Sequence, residues 1–130
     1  MAAKSSKSSS VELAKILTQM NEQGNFPIAV ITDRHGFPIA SAASPGEDPD
    51  MKAAVVALIQ KTANQVSSQL GMAKIDEISL YDTDGKRLVC RPFFAKDHEM
   101  ILAVLITDKE QTYRRLTNQA VYAIRRQWKL

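Results

Sequence analysis

The chain has 130 residues, of which 45% are hydrophobic and 24% charged, with a formal net charge of +3. That length suits one domain around a single core, the composition excludes a disordered chain, and the charge is too small to argue for nucleic acid by itself. One cysteine, Cys90, leaves no internal disulfide, and neither the longest apolar run at 100–106 nor the polar N-terminus supplies a membrane span or signal peptide, so a cytoplasmic location is expected.

Residues 1–9, rich in Ser and Lys, are expected to be a disordered leader ahead of one domain over 10–130. Ser9 and Glu12 have the S-x-x-E spacing of a capping box, which predicts a helix from there to about residue 23. Leu13, Ile16, Leu17 and Met20 repeat at helical spacing as one apolar stripe, and Gly24 offers a left-handed stop. Residues 28–32 and 37–42 are strands by composition, and Pro38, lacking a donor, puts the second of them at a sheet edge. In the loop 44–50, Asp48 can cap and Pro49 can open a second helix, which runs to residue 70 and stops at Gly71.

Three strands follow at 75–81, 86–94 and 100–107, joined by DTDG and KDHE, turns short enough to force an antiparallel meander. The last is apolar at nearly every position, so it belongs at the centre with helices on both faces. Pro92 is tolerable if Tyr81 pairs with Lys86, which sets it opposite Ile75 at a frayed strand end. A final helix over 111–128 carries Tyr113, Leu116, Thr117, Ala120, Ile124 and Trp128 on one face, with Arg114, Arg115, Arg125 and Arg126 largely away from it.

With this order of elements, AVITDRHGFPIASA, an alanine-rich helix after an acidic loop, ISLYDTDGKRLVCRPF and MILAVLI, the chain resembles the roadblock/dynein light-chain family over roughly residues 11–128. The resemblance rests on that order together with Gly36 and the small residues around Ala40 and Ser41. It implies an α/β (α+β) profilin-like sandwich: a five-stranded antiparallel sheet in the order 2-1-5-4-3, helix two on one face and helices one and three on the other. It further implies a non-catalytic dimer that binds or regulates small Ras-like GTPases, or serves as a scaffold. The basic tail and Arg-rich final helix are not shared by the shortest members.

Residues that suggest chemistry are better explained as structure. His35 beside Asp33 has no nucleophile or supporting network, and Asp33-x-x-Gly36 lacks the phosphate-cradling G-x-x-x-x-G-K-[ST] loop of a nucleotide hydrolase, so TDRHG is a turn with Gly36 at positive φ. Asp82, Asp84 and Gly85 begin like a calcium loop whose remaining ligands are missing. His35, His98 and Cys90 lack zinc-ligand spacing, and Cys90 is a small buried hydrophobe. The arginine pairs, without interleaved aromatics, make a solvated face. Hence no catalytic residue, metal or cofactor is expected, and no nucleic acid.

The functional signal lies in helix two. Ala54, Val55, Leu58, Ile59, Thr62, Val66 and Leu70 form a stripe able to cover the sheet, while Ala53, Val56 and Ala57 make the adjoining face apolar too, so a second surface should cover it. In the strand order that the resemblance implies, the strand at 75–81 is an edge with Tyr81 and Leu80 exposed, and such edges are normally protected. These features predict a homodimer joined through Ile78, Ser79, Leu80, Tyr81 and Val56, with the two helices side by side. From the resemblance, a small Ras-like GTPase or another roadblock-type protein docks on Lys52, Ala53, Val56, Ala57, Gln60, Lys61, Asn64 and Ser68. The alternative is a small-molecule sensor module with a pocket between helix and sheet.

Overall fold

The computed structural model describes residues 2–128, with side chains from residue 10 onward. The elements are α1 (Ala2–Gly24), β1 (Ile28–Asp33), β2 (Pro38–Ala43), α2 (Pro49–Gln69), β3 (Ile78–Tyr81), β4 (Arg87–Ala95), β5 (His98–Ile106) and α3 (Arg114–Gln127). All five strands form one antiparallel sheet in the order β2-β1-β5-β4-β3. Pro38 stands on an edge strand and the apolar β5 lies at the centre, as the sequence requires.

Strand alternation divides the interior into two cores. Met100, Leu102, Val104 and Ile106 of β5 join Leu13 and Leu17 of α1 and Leu116, Ala120 and Ile124 of α3. Ile101 and Ala103 point the other way, with Ile28, Val30 and Cys90, against Val56 of α2. Helix α2 starts as its sequence dictates: Asp48 Oδ1 accepts from the amides of Asp50 and Met51, and Pro49 fills the first turn, where its missing donor costs nothing.

Several boundaries differ from expectation. Helix α1 is continuous from Ala2, so Ser9 lies within it rather than at its cap, and the backbone of residues 2–9 of the expected leader is helical, Met1 lying outside the described residues. Alanine and lysine favour helix, and the Ser10 hydroxyl donates to the Ile39 carbonyl at 2.9 Å, tying α1 to β2. At its other end Asn25, not Gly24, takes the left-handed conformation at φ 54°. Gly24 is needed for another reason, because the Phe26 ring occupies the space a Cβ would fill. Strand β3 begins only at Ile78, and Tyr81 pairs with Arg87 instead of Lys86. The last β3–β4 pair is Ile78 with Cys90, so Pro92 lies past the end of β3 and pairs only with Ile101.

Candidate partner-binding surface

Helix α2 turns Ala53, Val56, Gln60 and Ser67 toward the sheet. This reverses the expected faces: Val56 is 1% exposed, whereas Leu58 is 65% and Val66 49% exposed, with Val55 and Leu70 also in solvent. The first half of α2 is apolar on two adjoining sides, so periodicity alone could not choose between them. Close approach decided it, since Ala53 and Ser67 are small and Gly36 of the β1–β2 turn lies against Ala57. The two buried polar side chains bond locally, Ser67 Oγ to the Ala73 carbonyl at 3.3 Å and Gln60 Nε2 to Asn64 Oδ1 at 3.0 Å.

The helix packs on β1, β2 and β5 and leaves the β4–β3 half of this face largely bare. Pairing of Ile78 with Cys90 and Leu80 with Leu88 puts both β3 side chains on the bare half, and Leu80 is 49% exposed. Leu88 and Leu105 line an apolar cavity of about 220 Å³ against Val56, with Lys52 beside it. Ile59 and Val66 follow Lys52 at i+7 and i+14, so the helix flank overlooking the bare sheet is apolar as well.

Strand β3 is an unpaired edge. The Asp82 amide donates inward to the Lys86 carbonyl at 2.9 Å. Amide direction alternates along a strand, so Leu80 and Ile78 also donate toward β4 while Ser79 and Tyr81 present their amides outward. A charged cluster fixes the start of this edge. Glu77 accepts from Tyr113 Oη at 2.6 Å, Arg114 Nη1 at 2.6 Å and Ser79 Oγ at 2.8 Å, and Arg114 Nη2 reaches Asp76 at 2.7 Å. Burial opposes ionisation of Glu77, but the Tyr113, Ser79 and Arg114 hydrogen bonds outweigh it and hold the carboxyl below the ordinary glutamate range. The Arg114 hydrogen bond likewise lowers Asp76. Beside the cluster, the buried Arg87 guanidinium sits between the Tyr81 and Tyr113 rings and donates to the Gln111 carbonyl. None of this was foreseen, because its members are up to 38 residues apart with no spacing signal.

The residues that suggested chemistry are placed as follows. Asp33 Oδ1 accepts from the amides of His35 at 2.8 Å and Phe37 at 3.0 Å, and Gly36 has φ +92°, so TDRHG is a turn whose carboxylate serves its own backbone. Asp82 plays the same part for Asp84 and Lys86. Cys90 is buried in the smaller core, and burial pushes its thiol up to about 12.

No protein-family model matches the chain, and no curated protein matches its sequence. Solved structures do. The gliding protein MglB from Thermus thermophilus superposes with a TM-score of 0.74 at 18% identity, covering 92% of this chain and 90% of that one. A structure described as MglB with tetrameric arrangement gives 0.75 at 20% identity, with coverage of 92% and 89%. A Roadblock/LC7 domain from Streptomyces avermitilis gives 0.72 at 14% identity, with coverage of 88% and 93%. The chain has the roadblock fold.

Within the roadblock fold of this chain, the expected surface residues are divided. Ala53, Val56 and Gln60 are buried against the sheet, and Ala57 is half-buried under Gly36. Lys61, Asn64 and Ser68 are exposed together on the flank near the β1–β2 turn. Lys52 is on the opposite flank, 3.7 Å from Glu47. Among the β3 residues, Ile78 and Leu80 face the bare sheet, whereas Ser79 and Tyr81 lie on the α3 side. The unforeseen surface residues are Leu58, Val66 and Leu70, all named in the sequence but assigned to the core. No helix among the described residues is long and apolar enough to cross a membrane.

Proposed function

We propose that this chain is a non-catalytic homodimeric regulator or scaffold that binds a small Ras-like GTPase, or another roadblock-type protein, through α2. One observation carries the reading: a half-bare apolar sheet face adjoins an unpaired strand edge and an exposed apolar helix flank. A second copy pairing through β3 lays its own α2 over the bare half and protects both edges at once. Val56 drops out of that interface, since it is buried within the protomer, and Val55, Ile59, Val66 and Leu80 take its place. The likeness to MglB with tetrameric arrangement supports self-association.

For the partner, the mechanism is differential affinity: a surface that fits one conformation of the GTPase switch segments better than the other shifts their population without any reacting group. The turn that carries Asp33 and His35 supports this, because its carboxylate is engaged by its own amides. The sensor reading has one observation in its favour, the cavity between α2 and the sheet. At about 220 Å³ with an almost wholly apolar lining, it is smaller than the roughly 300–1,000 Å³ of typical ligand pockets and lacks their converging polar groups. Dimer closure accounts for it better.

The test has two steps. Light scattering at micromolar concentration should return twice the chain mass of 14.4 kDa. Titration with a purified small Ras-like GTPase, loaded with GDP or with a non-hydrolysable GTP analogue, should then give unequal affinities. A monomer, or equal binding of both loaded forms, refutes the corresponding step.

A further inference from the structure

A second recess lies on the other flank of α2, between that helix and the β1–β2 turn. It measures about 660 Å³ and is lined by Arg34 and His35 of the turn, Leu58, Gln60, Lys61 and Asn64 of the helix, and Glu99 of β5. Lys61 follows Lys52 by nine positions, half a turn around the helix, so this groove stays open when a second copy covers the bare sheet on the Lys52 side.

Three features specify an occupant. The first is charge: Arg34 and Lys61 form no salt bridge among the described residues, and the lining offers Glu99 as its one acid. The Arg34 Nε–H donates to His35 Nε2 at 3.2 Å, which holds the guanidinium over the turn with its terminal nitrogens unused. The second is an unmet acceptor. Gln60 is 4% exposed, its Nε2 donates to Asn64, and its Oε1 is buried with no partner. An unsatisfied buried carbonyl is destabilising, and a backbone N–H entering beside the exposed Asn64 relieves it once the Gln60 amide turns outward into the groove it lines. The third is Leu58, exposed at the rim, which offers an apolar side chain a seat.

We propose that this groove receives an extended acidic segment of the docking partner, with carboxylates on Arg34 and Lys61, a backbone amide on Gln60 Oε1 and an apolar side chain on Leu58. The proposal rests on the reading of α2 as the docking helix and names the chemistry of what docks. Glu99 repels carboxylates from the β5 side of the groove.

The probe is a capped peptide of glutamates interrupted by leucines, titrated into the isotope-labelled full chain and followed by amide chemical shifts. Saturable shifts are expected at Arg34, His35, Gln60, Lys61 and Asn64. Arg34→Glu with Lys61→Glu should weaken binding about tenfold or more, and Lys61→Gln, which introduces no repulsion, should weaken it less. Arg125→Glu with Arg126→Glu, on α3, should leave it unchanged. Equal binding of a lysine counterpart, equal loss in the α3 variant, or no saturation up to about 1 mM overturns the proposal. Light scattering on the same samples separates the two readings: a dimer that ignores the acidic peptide sinks the groove alone, and a monomer that binds it sinks the dimeric platform alone.

Discussion

Gly36 and Ala57 lie against each other where the β1–β2 turn meets α2, so closely that a Cβ on Gly36 would stand 2.8 Å from the Ala57 methyl. The same glycine has φ +92°, a region L-residues rarely adopt. Gly36→Ala should therefore destabilise twice over, by about 1–2 kcal/mol for the backbone and by a further amount for the collision. Ala57→Gly alone should cost about 1 kcal/mol as a helix-interior glycine. Chemical denaturation of both single variants and the double variant should show that the double loses less than the sum. Strict additivity would mean that the turn moves away freely and that α2 is not fixed by it.

Assembly rests on the outward amides of Ser79 and Tyr81. Ser79→Pro removes a donor that β4 does not use, so the protomer should stay folded with its far-ultraviolet circular dichroism unchanged. The scattering mass should fall to that of one chain. A dimer surviving this substitution would put the interface elsewhere.

Acid should loosen the β3 edge. The carboxyls of Glu77 and Asp76 titrate lower in the folded chain than in the unfolded one. Their contribution is thus complete above about pH 5 and is lost as pH falls through about 4 and below. Glu77→Gln should lower the melting temperature at neutral pH and flatten its decline in acid. Asp76→Asn should do less, because its ion pair is exposed to solvent screening. Identical acid limbs for wild type and Glu77→Gln would deny the cluster its role.

Burial sets the reactivity of Cys90. A thiol pushed up to about 12 holds almost no thiolate near neutral pH, and its side chain lies in the core with Val56 and Ile101. Alkylation by iodoacetamide should be slow in the native protein and fast in denaturant. Rapid native labelling would show that α2 opens from the sheet.

These cases mark how far the sequence could be read. Pro38, the continuous apolar run of β5 and the Asp48-Pro49 pair each had one physically sensible place, and an edge strand, the sheet centre and the start of α2 followed from them, while the full strand order came with the roadblock resemblance. The register of β3 against β4 was missed by one residue because DTDG permits more than one closure, and the Asp82 hydrogen bonds that decide it are invisible in one dimension. The faces of α2 were missed because Ala53, Val56 and Ala57 are as apolar as Val55, Leu58 and Ile59. The burial of Gln60 and Ser67 runs against composition and depends on partners only the fold supplies. Glu77, Tyr113 and Arg114 meet only through the tertiary structure.

The corrected faces of α2 yield a paired test of the platform. Val56→Asp would place a carboxylate without a partner among Ile28, Val30 and Ile101, a change that costs about 3–5 kcal/mol and should unfold much of the chain. Leu58→Asp, two residues on, alters a side chain that is already in solvent and should shift stability by no more than about 0.5 kcal/mol. Partner binding should nonetheless fall sharply for Leu58→Asp, because an apolar contact is replaced by a charge that docking must desolvate. Arg125→Glu with Arg126→Glu is the control, since α3 packs on the opposite face of the sheet. If Leu58→Asp binds the partner as wild type does while the α3 variant loses it, α2 is not the docking surface and the basic last helix takes that role.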